Sequence, residues 1–416
     1  MNSTVISIPN EPQLSPPTKT KTTHFSRVSL LLSCKGIYNT RQLNHSLKVG
    51  VALVLVSLLY LVDSLYEKVG ENAMWAIMTV VVIFEFSAGA TLSKGLNRGI
   101  GTILGGFMGC LAATLADQIG GAGEAIVIGV SVFIFGVTAS YIRLIPAFKK
   151  KFDYGAMIFI LTFNLVIVSG IRDKKIFDLA RDRLLTIGIG FGICILASLL
   201  IFPVWSSDNL HSSTVSKFHS IASSIEGCFE EYFNSIDKKD SKTTATLNGV
   251  LHSKSSDEIL ANFARWEPWH GKFGFHHPWD KYLDIGEQLR ELAASNHSLK
   301  GCLQSPRQPS SKSLKLSIKA LCEAVVSLLT TTLREFGESI DKMKVSRSGA
   351  SLVAKLQKTR LELSAAISAS ELGELSNDER IAVASSVFLL MEMMDKVEVL
   401  AKYIKQLEDL AGFPSH

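Results

Sequence analysis

Glu85, Lys94 and Arg98 are the residues of this chain best placed to do chemistry. Ala73 to Leu92 is a run of about twenty mostly apolar residues, long enough for a helix to cross the hydrocarbon of a bilayer. Glu85 lies inside it, where a carboxyl group is costly unless it is paired, protonated or faces water. Lys94 and Arg98 follow at once, and Gly95, Gly99, Gly101 and Gly105 lead into the next apolar run. Cations at the start of a glycine-rich, closely packed helix suit a site that attracts anions. The plainer alternative makes Lys94 and Arg98 anchors at the membrane edge and Glu85 a structural ion-pair partner.

The elements that must position these residues follow from composition and hydropathy. A mean hydropathy of +0.25 is too apolar for an ordinary soluble protein of 416 residues, yet 19% of the residues are charged. Both facts fit a chain of which one half spans a membrane and the other does not. Six apolar spans are expected, near residues 47–62, 73–92, 100–116, 125–141, 154–171 and 184–205. Only helices satisfy every backbone group across lipid at such spacing. The fold class is therefore all-α: a polytopic membrane protein with six transmembrane helices plus a C-terminal α-helical cytosolic domain. The expected divisions are a disordered basic cytosolic arm (1–46), the transmembrane domain (47–205) and the cytosolic helical domain (206–416).

The connections alternate in charge. Residues 93–98 carry Lys94 and Arg98, and 142–152 carry Arg143, Lys149, Lys150 and Lys151. Residues 67–72 and 117–124 are acidic or balanced, so the positive-inside rule puts both termini in the cytosol. Residues 171–183 break that rule. Arg172, Lys174, Lys175, Arg181 and Arg183 stand there against Asp173, Asp178 and Asp182. A cationic mouth that concentrates anions is one account, and a salt-bridged amphipathic turn is the other. Small residues repeat every fourth position at Gly101, Gly105 and Gly109, and at Gly188 and Gly192, which marks faces where helices approach closely.

Beyond Pro203 the apolar residues follow helical periodicity. Val215, Phe218, Ala222, Ile225 and Phe229 form one stripe, and Leu314, Ile318, Leu321, Val325, Leu328 and Phe336 another. Ser376 to Glu379 reads as a capping box before a long helix over about 378–410. Residues 237–256 and 300–313 are polar and read as flexible. Residues 264–279 are dense in aromatics, with His270, His276 and His277 among them. The histidine spacing matches no zinc pattern, so the expectation is an aromatic clasp built from Trp266, Trp269, Phe273, Phe275 and Trp279. Six scattered cysteines without a CxxC pair read as core residues rather than disulfides. No Walker A loop, dinucleotide fingerprint, nucleophile elbow or HExxH occurs, so neither an enzyme, a cofactor nor a metal is expected. The basic arm lacks interleaved aromatics, and its place beside a membrane span favours lipid headgroups over nucleic acid.

The stretches 75–102, 149–170 and 202–211, and Trp266-Glu267-Pro268, resemble the plant aluminium-activated malate transporter family. The resemblance implies a gated anion channel, passing malate and other organic and inorganic anions, built as a homodimer in the bilayer. It implies that arginines at the starts of the third and sixth spans, here Arg98 and Arg183, line the pathway. It extends the pathway to basic residues matching Lys150 in the lysine run, Arg172 and Lys48, with Lys94 beside them. A dianion such as malate needs compensating charge to cross a bilayer, and arginine forks suit carboxylates. Glu85 is read either as a partner that positions a basic residue and tunes gating, or as a purely structural carboxyl. A plasma-membrane location is expected over a vacuolar one. The competing readings are a proton-coupled exporter of organic or aromatic acids, and a membrane scaffold whose helices bind partners.

Overall fold

The computed structural model describes residues 40–63, 66–67, 73–169, 176–234, 241–274, 276–305, 312–369 and 376–414. The chain divides into two compact units, Met1–Leu47 and Lys48–His416. In the first, the described residues are the opening turns of α1 (Thr40–Leu61), where the Ser46 hydroxyl donates to the Gln42 carbonyl at 3.0 Å. The expected arm, 1–46, lies almost wholly outside the described residues.

The molecule is an all-α polytopic membrane protein. After α1 come α2 (Met74–Ile83), α3 (Ala88–Ile119), α4 (Gly121–Leu144), α5 (Pro146–Ser169) and α6 (Ile176–Leu200). Among the described residues five helices are long and apolar enough to cross a membrane: α1, α3 and stretches of α4, α5 and α6. The expected second span is not one helix. It stops after Ile83, and the chain runs extended through Phe84 before Ser87 caps a new helix. The Ser87 hydroxyl accepts from the Ala90 N–H at 3.3 Å, satisfying one of the donors a helix start leaves unpaired. Six spans thus become five full helices and a ten-residue one. Residues 93–98, expected as a connection, lie inside the 32-residue α3.

Two apolar cores hold these helices. Ala52, Val56, Ala76, Val80, Cys194 and Ala197 join α1, α2 and α6. Ala113, Ala116, Ile128, Phe163 and Ile167 join α3, α4 and α5. The glycine repeat of α3 explains its fit to α5. A Cβ on Gly101 or Gly105 would collide with the carbonyls of Gly155 and Phe159, and one on Gly109 would meet Val166. Gly188 and Gly192 do not act this way, since nothing lies within 4 Å of a Cβ at either. It is Gly190, between them, that meets the Ala76 carbonyl of α2.

The C-terminal half has a separate core. Its helices are α7 (Ser206–Asn234), α8 (Ser241–Leu251), α9 (Lys254–Ala264), α10 (Trp279–Leu303), α11 (Lys312–Lys342), α12 (Gly349–Ala369) and α13 (Asn377–Ala411). Phe218, Ile225, Leu289, Leu333, Val397 and Leu407 are among its fully buried residues. The capping box at Ser376 and Glu379 is formed as the sequence requires. The segment expected to be flexible at 237–256 holds α8 and the start of α9, because Leu247 and Val250 bury themselves in the core.

Candidate functional site

Arg98 lies ten residues into α3, about 15 Å from its start at the rise of a helix. It is therefore not at a helix mouth, and burial leaves it 5% exposed. Its Nη1 donates to the Tyr154 hydroxyl of α5 at 3.1 Å, while its Nε is buried with no hydrogen-bond partner among the described residues. The neighbouring Asn97 donates to the Lys151 carbonyl at 2.8 Å, which ties the same turn of α3 to α5.

Arg183, on α6, is 3% exposed. Its guanidinium lies 3.4 Å from the ring centroid of Trp75, on α2, and its Nη1 is buried without a hydrogen-bond partner among the described residues. It stands within electrostatic reach of Arg98. Arg183 lines a cavity together with Thr102, one turn beyond Arg98 on α3, so the two arginines stand in the same region. Each is held by an aromatic residue, Arg98 by Tyr154 and Arg183 by Trp75. Among the described residues neither has a carboxylate partner. Two like charges, buried and uncompensated, are costly to hold together. A cavity of about 210 Å³ adjoins Arg183 and is walled by Thr102, Gly106, Thr162 and Arg181.

The other cations differ. Lys94 forms an ion pair with Glu85, so the carboxyl in the break cancels the charge one turn before Arg98. The Glu85 N–H donates to the Thr91 hydroxyl at 3.1 Å, which fixes the break itself. Lys48 is buried in α1. Lys149 and Lys151 are exposed at the start of α5. Arg172 and the side chain of Lys150 lie outside the described residues. At the start of α3 the Ala88 N–H donates to the Val204 carbonyl at 3.0 Å and the Ala90 N–H to the Ser87 hydroxyl, so these two donors are taken.

The aromatic segment 264–279 works differently from a simple clasp. Glu267 is buried and accepts from the backbone N–H groups of Ser206 and Ser207, at 2.5 and 3.1 Å, and from the Ser207 hydroxyl at 2.6 Å. It therefore caps α7. His270 bonds the Ser207 hydroxyl at 3.0 Å and stacks on Trp205. Phe273, His277, Trp279, Tyr282 and His211 pack as a ring cluster. Trp269 is 70% exposed and takes no part, and Phe275 lies outside the described residues.

Sequence reasoning missed Trp75 and Tyr154. Both stand in the apolar stretches that carry the family resemblance, but nothing in spacing joins Trp75 to a residue more than a hundred positions away.

Helices long and apolar enough to cross a bilayer, packed around buried arginines, define a polytopic membrane protein. The family model described as "Aluminium activated malate transporter" matches residues 36–407. "Aluminum-activated malate transporter 12" of Arabidopsis thaliana is 44% identical over 73% of this chain and 55% of its own length. "Aluminum-activated malate transporter 2" of the same plant is 37% identical over 91% of this chain and 77% of its own. "Aluminum-activated malate transporter 1" of Triticum aestivum is 37% identical over 90% and 83%. The chain spans 55%, 57% and 59% of the length of the Arabidopsis relatives numbered 12, 14 and 13. This chain belongs to the aluminium-activated malate transporter family.

Proposed function

We propose that this chain forms a gated, passive pathway for anions, malate among them, across a plant membrane, and that Arg98 and Arg183 are its anion-selecting residues. One observation carries the reading: two buried guanidinium groups within electrostatic reach of each other, each with an unpaired N–H and no carboxylate partner among the described residues. Such an arrangement is stable when an anion shares it, because a carboxylate accepts the free donors and offsets the charge. Fixed arginine forks also hold loosely enough for release when the anion keeps part of its water. The family relatives are named as malate transporters, which gives the substrate class. Glu85 supports the site indirectly, by neutralising Lys94 so that the net charge is concentrated on the two arginines. In this reading two copies assemble in the bilayer, the termini and the C-terminal helical half face the cytosol, and the membrane is the plasma membrane. Lys48 and Arg172 serve as further cations along the route.

The experiment is whole-cell current in a heterologous cell, with malate, nitrate or chloride as the main anion. Wild type is compared with Arg98→Gln and Arg183→Gln at matched surface expression. Malate current in wild type, reversing at the anion equilibrium potential and lost in both variants, is the expected result. Current unchanged in the variants would return both arginines to a structural role. A reversal potential that follows the proton gradient would favour the coupled exporter.

A further inference from the structure

We propose that the cleft between α3, α4 and α5 binds one acyl chain of an anionic phospholipid, whose headgroup rests on Lys149 and Lys151. The cleft encloses about 380 Å³ and is lined by Leu104, Met108, Phe135, Phe148, Phe152 and Phe159, with almost no polar surface. It is framed by three membrane-spanning helices, and Leu104 at its edge is half exposed, so it opens toward lipid. Four phenylalanines around an unfilled space leave dispersion contacts unmade that a hydrocarbon chain supplies.

One end of this cleft is cationic. Ile142, Phe148 and Phe152 line it, and their chain neighbours are Arg143, Lys149 and Lys151. Asp153 pairs with Arg143 at 2.8 Å, and both lysines are exposed. An apolar slot with a basic rim matches an amphiphile with an apolar tail and an acidic head. A second copy of the chain fits less well. Copies in one membrane share an orientation, and the acidic residues Asp117 and Glu124 stand at the far end of α3 and start of α4. That end lies about 30 Å, a membrane thickness, from the lysine rim. Asn97 and Gly155, which also line the cleft, adjoin Arg98 and Tyr154 in the chain. A bound acyl chain thus braces the hydrogen-bonded pair from behind.

The test reads lipid retention and needs no current, so it stands or falls apart from the transport reading. The chain is reconstituted in nanodiscs of phosphatidylcholine alone or with phosphatidylserine, extracted in mild detergent and examined by native mass spectrometry. Wild type is expected to retain phosphatidylserine over phosphatidylcholine. Lys149→Gln and Lys151→Gln are each expected to lower that retention about five-fold, the worth of one cation at an anionic headgroup. Ala156→Phe and Leu104→Trp fill the cleft from facing helices and are expected to abolish retention. Leu104 is half exposed, so its variant keeps the test valid if Ala156→Phe misfolds on thermal unfolding. Equal retention of the two lipids, or unchanged retention in the filled variants, overturns the proposal. A change from dimer to monomer in the filled variants, with retention unaltered, assigns the cleft to a second copy instead.

Discussion

At the scale of single residues, the arginine pair depends on its aromatic supports. The Arg183 guanidinium carbon stands over the Trp75 ring, 3.4 Å from its centroid, so the ring quadrupole stabilises the cation while Nη1 keeps an unpaired donor among the described residues. A desolvated contact of this kind is worth about 2 kcal/mol. Trp75→Leu therefore leaves Arg183 both unsupported and free to change rotamer. The concentration of malate giving half-maximal current is expected to rise roughly ten-fold or more. Trp75→Phe keeps a ring face and is expected to recover much of the loss. If Phe and Leu behave alike, the ring contact is packing and not electrostatics. The types Arg98, Arg183 and Glu85 were readable from the sequence because charges in apolar stretches are conspicuous. Their partners were not. Lys94 meets Glu85 across a backbone break, at a separation of nine that no regular helix brings together.

At the scale of elements, hydropathy located every membrane helix but not the interruption at 84–87. The apolar run continues straight through that interruption, so an averaged window sees one span. The only local signal is Ser87 before Ala-Gly-Ala, a cap hidden in an apolar context. Placing the helix start at Ala88 moves Arg98 from an apparent loop to the interior, which is why its nearness to Arg183 was not legible. Helix contacts were legible only where a repeat coincided with the buried face. Gly105 sits against the Phe159 backbone, whereas Gly99, on the same helix, meets nothing within 4 Å. Gly105→Val is expected to lower thermal stability in detergent by about 1–3 kcal/mol through overpacking. Gly99→Ala is expected to raise it by up to about 1 kcal/mol, from helix propensity alone. Equal effects of the two would mean that α3 and α5 are not held by this face.

The ring cluster around α10 makes a second prediction for its elements. Burial, with His211 nearby as the smaller cause, pushes the His277 imidazole down to about 4. Burial also lowers His211, whose Nδ1 lies 2.9 Å from the Tyr282 hydroxyl. An unfolded histidine titrates near 6.5, so between about pH 6.5 and pH 4 the unfolded chain binds more protons than the folded one. This contribution is complete above that window and is lost as pH falls through it. Thermal unfolding is expected to show a melting temperature that drops on acidification, with a shallower drop in His277→Phe. An identical slope in the variant would mean that His277 is reached by water and protonates freely.

At the scale of the whole molecule, one small joint carries the chain from membrane helices to the C-terminal bundle. The chain leaves α6 through Phe202, whose φ of 44° is a strained left-handed conformation for a non-glycine residue, and Pro203 follows. It is then fixed from both sides. Ser206 donates through its hydroxyl to Ser87 at 2.7 Å, at the start of α3, and through its N–H to Glu267. A Cβ on Gly89 would collide with the Phe263 carbonyl of α9 and with the Glu267 side chain, so α3 packs directly on the α9 backbone and on that carboxylate. Glu267 is the only charge in this joint that accepts three of the hydrogen bonds described, two from the helix start it caps. Bonds to an ionised acceptor are worth about 1.5–3 kcal/mol each. Glu267→Gln keeps shape and one acceptor oxygen but loses the charge that suits a helix N-terminus, for an expected cost of about 1–2 kcal/mol. Glu267→Ala leaves the Ser206 and Ser207 donors buried and unmet, for about 3 kcal/mol or more. Limited proteolysis at residues 200–206 is expected to rank the variants in that order, with Ala cut fastest and wild type slowest. Cleavage that is equal in all three would place the stability of the joint in the Gly89 contact and the Trp205–His270 stack, and not in the carboxylate.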